Sequence, residues 1–268
     1  MASDHLITLT TDFGYDDPFV GVMKGVILKT NPQAQIVDLT HGIKPRDIRE
    51  AAFTIGANYA YFPDGTIHVV VVDPGVGSKR RPIAVMADRH YFIGPDNGVF
   101  SLIYNEGHEI LDVYHMTSTH YFLAPPSPTF HGRDVFASAA GWLSRGIDLP
   151  KFGDPIEDFQ RVQIPVPPIT PEGMLKGQVI HVDRFGNAMT NVKPADLERL
   201  REVKPEGTMR VVVKGKEALM VTYYAELEAN KLGCLINSSG YLEFFVNSGN
   251  AASALAISPG VVFGVVMV

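Results

Sequence analysis

Along residues 1–160 the apolar positions switch repeatedly between two periods. "LITLTT" reads as a strand, and "DPFVGVMKGVILKT" after it repeats its apolar residues at helical spacing, with Asp17-Pro18 as a start signal. "QIVDLTH" predicts a second strand and "DIREAAFTIGANYAYF" a second helix capped by Asp47. "TIHVVVV" is apolar at consecutive rather than alternate positions, the pattern of a strand buried on both faces. "PIAVMAD" predicts a fourth strand. Then come "GPDNG", a short helix "VFSLIY", a strand "EILDVY" and a helix "GRDVFASAAGWLSRG". Strands alternating with helices predict βαβ units, a mostly parallel sheet covered by helices on both faces.

The pattern changes at "QRVQIPVPPITPEG". Prolines this dense fit neither a helix nor a central strand, so residues 161–173 read as a stiff extended linker. In residues 174–268 the signals are short strands, "GQVIHVD", "MRVVVKG", "ALMVTYY", "GCLINSS", "YLEFFVNS" and "GVVFGVVMV", separated by Gly, Asn and Ser. That suits a small antiparallel barrel or sandwich. The predicted architecture is an α/β domain followed by a smaller, all-β, barrel-like domain.

Composition narrows the function classes. At 46% hydrophobic and 19% charged residues the chain can bury a sizeable core and is not disordered. A net charge of −6 argues against a nucleic-acid partner, which needs a basic face. Cys234, the one cysteine, excludes an internal disulfide and a cysteine zinc site. "MASDHLITLTTDFG" has no basic region ahead of its short apolar stretch, so no signal peptide is expected. No apolar run approaches the ~18 residues of a membrane helix. A cytoplasmic protein without membrane contact is expected.

Candidate chemistry gathers where strands end. In an open α/β sheet ligands bind beyond the carboxyl ends of the strands, and Asp12, Asp38 to His41 and Asp73 all fall there. Each alone is accounted for as a helix-capping loop residue. Together they point to a polar cleft. Asp73 is followed by Pro74-Gly75 and then by Lys79, Arg80 and Arg81. "GVGSKRR" has the spacing of neither a P-loop nor a dinucleotide fingerprint. Two geometries stay open for the cations: a solvated loop, where ion pairs are worth ~0–1 kcal/mol, or Arg80 folded over Asp73 in a water-poor cleft, at ~4 kcal/mol. His131 in "TFHGRD" precedes a predicted helix. There is no His-Glu-x-x-His, no tight metal-ligand cluster and no Gly-x-Ser-x-Gly elbow, so no metal site is expected. "DRFGNAMTN" and "INSSGYLEFFVNSGNAAS" are explained as turn chemistry when taken singly.

Taken in order, "LTTDFG", "PFVGVMKG", "VVVVDPGVGSKRRPIAV", "GPDNG", "FHGRD", "DRFGNAMTN" and "NSSGYLEF" resemble the S-adenosyl-L-methionine (SAM) hydroxide adenosyltransferases, adenosine-forming SAM hydrolases that share their fold with fluorinases and chlorinases. The resemblance runs from residue 7 to about residue 246. It implies an N-terminal α/β domain, a C-terminal β-barrel, and a homotrimer with sites between neighbouring subunits. It also implies SAM as substrate, adenosine and L-methionine as products, and no cofactor. By that resemblance Asp73, Arg80 and His131 handle the attacking water, Asp12 holds the ribose hydroxyls, and Phe130 lines the pocket. Asp183 and Ser238 match residues that bind the methionine amino-acid group, Asn187 one that reads adenine, and Tyr223 or Tyr224 a stacking aromatic. The halogenating relatives have Tyr at Asp73, Thr at Val76, Ser at Gly132 and Arg at Ser239. A fixed carboxylate repels a halide, so Asp73 argues for water as the nucleophile.

The chemistry implied is demanding only at the nucleophile. Methionine leaves the sulfonium neutral and needs no general acid. Forming hydroxide at pH 7 from water of pKa ~15.7 costs roughly 12 kcal/mol. Asp73 is expected to orient water or take its proton, and Arg80 with a protonated His131 to stabilise hydroxide character. The rival readings are a halogenase-like transferase and a SAM- or adenosine-binding sensor without turnover.

Overall fold

The computed structural model describes residues 6–104, 110–163 and 165–268. Glu109 of the predicted strand "EILDVY" and Ile164 of the proline-rich stretch lie outside the described residues. The chain divides into two units, Met1–Gln163 and Ile164–Val268.

The first unit contains β1 (Leu6–Thr11), α1 (Phe19–Thr30), β2 (Gln35–Thr40), α2 (Ile48–Asn58), β3 (Ile67–Val71), β4 (Pro82–Ala87), β5 (His90–Pro95), α3 (Ser101–Tyr104), β6 (Leu111–Met116), α4 (Ser138–Ser144) and β7 (Gly153–Pro155). The strands form one sheet in the order β2-β1-β3-β5-β4-β6-β7. β2, β1, β3, β5 and β6 point one way and β4 and β7 the other, so the sheet is mostly parallel. β5 and β7 carry no sequence expectation. β5 joins β4 through a two-residue turn with Asp88 at φ 50°, and it separates β3 from β4. The predicted fourth strand therefore pairs antiparallel to β5 and not with β3.

β3 behaves as its valines require. Val69 and Val71 pack with α1 and α4 on one face, among Met23, Ile27 and Ala139. Val70 and Val72 pack with α2 and α3 on the other, among Ala51, Ile55 and Ile103. Such two-sided burial keeps a central strand rigid, and the residue following it inherits a well-defined position. Asp47 caps α2 by accepting the Glu50 N–H at 3.0 Å. The predicted helix "GRDVFASAAGWLSRG" divides into a π turn, Gly132–Ala137, and the α-helical α4.

The second unit contains β8 (Met174–Val182), β9 (Ala188–Thr190), α5 (Pro194–Val203), β10 (Met209–Val213), β11 (Lys216–Met220), β12 (Leu232–Ile236), β13 (Leu242–Val246), α6 (Ala251–Leu255) and β14 (Val262–Met267). Its strands close a barrel in the order β10-β11-β12-β13-β9-β8-β14, filled by Leu175, Val211, Phe244, Phe263 and Val265 among others. Two departures from the sequence reading occur here. β11 and β12 pair in parallel, so the barrel is not wholly antiparallel, and two helices accompany it. The charge of "PADLERLREV" hides α5, but Pro194 at its first turn and the buried Leu197 and Leu200 are its signals.

Candidate active site

β1 and β3 are hydrogen-bonded neighbours with Thr11 beside Val71, so the chain leaves the sheet at two adjacent carboxyl ends and presents Asp12 and Asp73 there. A cleft of about 300 Å³ opens at this edge, lined by Asp12, Asp73, Val76, Phe130, His131 and Gly132. Phe13, Phe19, Arg46 and Thr129 also line it and were not singled out from sequence. Phe13 and Thr129 adjoin residues that were, but Arg46 has no local signal.

After Asp73 the chain makes two tight turns, Val76 N–H donating to the Asp73 carbonyl at 3.2 Å and Ser78 N–H to the Gly75 carbonyl at 3.1 Å. Gly77 lies at φ 76°, and a β-carbon there would overlap the Pro128 carbonyl oxygen. These turns bring Arg80 back over Asp73. Its Nε donates to both carboxylate oxygens at 2.9 Å, and Nη2 donates to Oδ2 as well. The pair is nearly dry, with side chains 9% and 5% exposed, and the guanidinium lies over the Phe136 ring at 5.1 Å. Of the two geometries open at the sequence level, the folded-back one is found. Arg80 Nη1 is buried with no hydrogen-bond partner among the described residues.

His131 sits immediately before the π turn, a helix irregularity frequent at functional sites. Its Nδ1 lies 2.8 Å from Arg80 Nη2. A guanidinium has no acceptor, so Nδ1 must accept, and the ring is neutral with its proton on Nε2. Burial, then the Arg80 charge, hold its pKa below the ordinary value. This corrects the expectation of a protonated His131, because an imidazolium would turn an N–H toward the cation. Gly132 is packed so closely that a β-carbon would come 3.2 Å from the Phe130 ring and 3.4 Å from Phe13. The cleft wall is an edge-to-face cluster of Phe13, Phe19 and Phe130.

Asp12 accepts the Arg46 N–H at 2.7 Å and, as a carboxylate, can accept further donors. Asp38 and His41 stand behind this loop. His41 Nδ1 meets Thr11 Oγ1 at 2.8 Å, and Asp38 accepts from Lys24 at 2.7 Å.

In the second unit, Asp183 and Asn187 close the β8–β9 turn. Asp183 Oδ1 accepts the Asn187 N–H at 2.8 Å, and Oδ2 accepts its side-chain amide at 3.3 Å. Ser238 and Ser239 occupy the β12–β13 turn, where Asn237 Oδ1 accepts the Ser239 N–H at 3.0 Å. Asn237 in turn donates to the buried Glu243 at 2.9 Å, and Tyr224 donates to the same carboxylate at 2.8 Å. Burial, then the Glu243 bond, push the Tyr224 phenol up to about 12. Tyr224 is thus committed to Glu243 and to an edge contact with Phe245, while Tyr223 is 60% exposed. Among the described residues no group of three or more His, Cys, Asp or Glu could hold a metal ion.

An α/β sheet bearing a carboxylate–guanidinium–imidazole cluster at its strand ends, followed by a closed barrel, has known relatives. Residues 7–153 match the SAM hydroxide adenosyltransferase N-terminal domain and residues 177–263 its C-terminal domain. The chain belongs to the SAM hydroxide adenosyltransferase family. It is 35% identical over 97% of both chains to a protein of Salinispora arenicola named (R)-S-adenosyl-L-methionine hydrolase. A fluorinase of an Actinoplanes species is more distant, 26% identical over 95% of each. The crystal structure of an uncharacterized conserved protein from Thermotoga maritima superposes with a TM-score of 0.88 at 32% identity, covering 97% of this chain and 99% of that one.

Proposed function

We propose that this protein hydrolyses SAM to adenosine and L-methionine, water attacking C5′ of the ribose in line with the departing sulfur. The observation that carries the reading is the Asp73–Arg80–His131 cluster, whose Asp73 and His131 line the cleft beside Asp12. Both oxygens of Asp73 are engaged by Arg80, which suits a carboxylate that orients a water by accepting its hydrogen bond. As the C5′–O bond forms, that water becomes acidic and its proton passes to Asp73 while the sulfur takes the C5′–S electron pair. The Nε2–H of neutral His131 supplies a donor for the developing charge, and the Arg80 guanidinium behind it a fixed positive charge. Methionine departs uncharged, and the sequence of steps needs no cofactor. A halide has no comparable place beside this carboxylate.

Asp12 is assigned to the ribose hydroxyls, Phe130 to the wall, Asn187 and Tyr223 to adenine, and Asp183, Ser238 and Ser239 to the methionine end. Phe185, in the same turn as Asp183 and Asn187, is 76% exposed, and Tyr223 is also exposed. Large apolar groups on these loops support a homotrimer with sites between neighbouring subunits. Sedimentation at the 29.3 kDa of a single chain would remove that part of the reading. Among the described residues no helix is long and apolar enough to cross a membrane. Work in the cytoplasm on a soluble substrate is part of the proposal.

The hydrolase relative's name specifies the (R) sulfonium epimer, and the same preference is proposed here. The decisive test supplies separated (R)- and (S)-SAM in ¹⁸O-water. Heavy oxygen at the 5′ position of adenosine, formed faster from (R)-SAM, is expected. Binding of either epimer without turnover would mark a sensor, and 5′-halo-5′-deoxyadenosine formed with chloride or fluoride would mark a halogenase.

A further inference from the structure

The "GPDNG" segment has no part in the chemistry above, yet its two polar residues reach both ends of the loop that carries it. Asn97 donates from Nδ2 to the carbonyl of Val72, immediately before Asp73, at 2.9 Å. The orientation of its amide follows from Oδ1, which accepts the Val99 N–H at 3.3 Å. Asp96 holds the other end. Its backbone N–H donates to the carbonyl of Arg81, immediately after Arg80, at 2.9 Å. Its carboxylate, on a residue 5% exposed, accepts Arg81 Nε at 2.8 Å and Nη2 at 2.6 Å, and its other oxygen accepts the Gln160 N–H at 2.7 Å.

Resting on the hydrolase reading, we infer that Asp96 and Asn97 are positioning residues that fix the separation between Asp73 and Arg80. Residues 72 and 81 flank the segment 73–80 on its two sides, and adjacent side chains at the end of one strand clamp them. A loop of this length tethered only by its own turns would sample many separations. Clamped at both ends, it presents the carboxylate and the guanidinium at one distance, and through Nη2 it places the His131 ring. Neither residue lines the cleft, so each acts through the neighbour it holds.

The prediction is a kcat effect that runs through Asp73. Asn97→Ala is expected to lower kcat about 10–100-fold, since small misplacements of reacting groups cost that much, with KM little changed. In the Asp73→Asn background the same change is expected to cost almost nothing further. Asn97→Gln, which keeps the donor, recovers part of the rate. Arg81→Lys tests the other end at a partly buried site and is expected to lose about 10-fold, a lysine having no fork to bridge Asp96. The readout independent of turnover is the NMR titration of His131. With Arg80 displaced, its pKa rises toward the ordinary value, while Asp73 and Asp134 remain the anions near it. Full activity in Asn97→Ala and Arg81→Lys, losses that add to Asp73→Asn, or an unmoved His131 titration would each overturn the clamp. No turnover by the unmodified protein would sink the hydrolase reading instead, and the His131 titration would still decide the clamp.

Discussion

Asp73 and His131 show how much a side chain's role depends on its partners. The same carboxylate on a solvated loop would be a helix cap. Folded under Arg80, it is a fixed acceptor in a nearly dry cleft. Replacing Asp73 by Asn keeps the shape and removes the charge, and is expected to lower kcat by roughly 10²–10⁴ with ligand affinity largely kept. Single-turnover rates with calorimetric binding of adenosine check this, and an unchanged rate would exclude Asp73 from the mechanism. Several candidate residues could be read from their surroundings in the chain, Asp73 from the strand before it and Pro-Gly after it. The charge of His131 could not. It depends on Arg80, far away in sequence, whose guanidinium leaves Nδ1 only the role of acceptor.

At the level of elements, the turn after β3 and the loop before the π turn meet at Gly77, where the left-handed backbone and the Pro128 carbonyl leave no room for a side chain. Gly77→Ala is expected to part the two loops that carry Asp73 and His131 and to lower activity at least about tenfold. Comparing kcat with the thermal midpoint checks this, and a variant that is fully active would show that the loops tolerate the separation. Local pattern made most of the elements legible. β3 announced itself by consecutive valines, and Asp47 marked the start of α2. β5 stayed hidden because its partner β4 is reached through a turn of two residues without a glycine. β9 stayed hidden because three residues carry no period. The parallel β11–β12 pair was equally invisible, since strand direction is set by the path of the intervening loop.

For the whole molecule, stability carries a built-in sensitivity to acid. His68 is fully buried in the sheet, its Nδ1 2.7 Å from Thr8 Oγ1, and burial, then the charge of His90, lower its pKa to about 3. The folded state therefore keeps it neutral, while the unfolded chain protonates it near 6.5. The unfolded state gains protons first, so stability is full above pH 6.5 and is lost as pH falls toward 3, by about 1.4 kcal/mol per pH unit. Urea unfolding between pH 6.5 and 5, above the ordinary carboxylate range, is expected to show this slope together with a smaller contribution from His131. His68→Gln should flatten it, and an identical slope in that variant would show that His68 does not bind protons differentially.

By itself the sequence determined most strands and helices of the first unit, β5 and β7 excepted, the two-sided burial of β3, the change to short strands after the prolines, and the carboxylates at strand ends. All of these follow from the period of apolar residues and from turn chemistry, which act over a few residues. The tertiary structure alone decided that Arg80 lies on Asp73, that His131 is neutral, that Asp96 and Asn97 clamp the loop between them, and that β5 lies beside β3. Apart from the Asp73–Arg80 pair, which lies within one loop, each of these is a contact between segments far apart in the chain. Such contacts exist only once the sheet has closed and excluded water, so no local pattern encodes them.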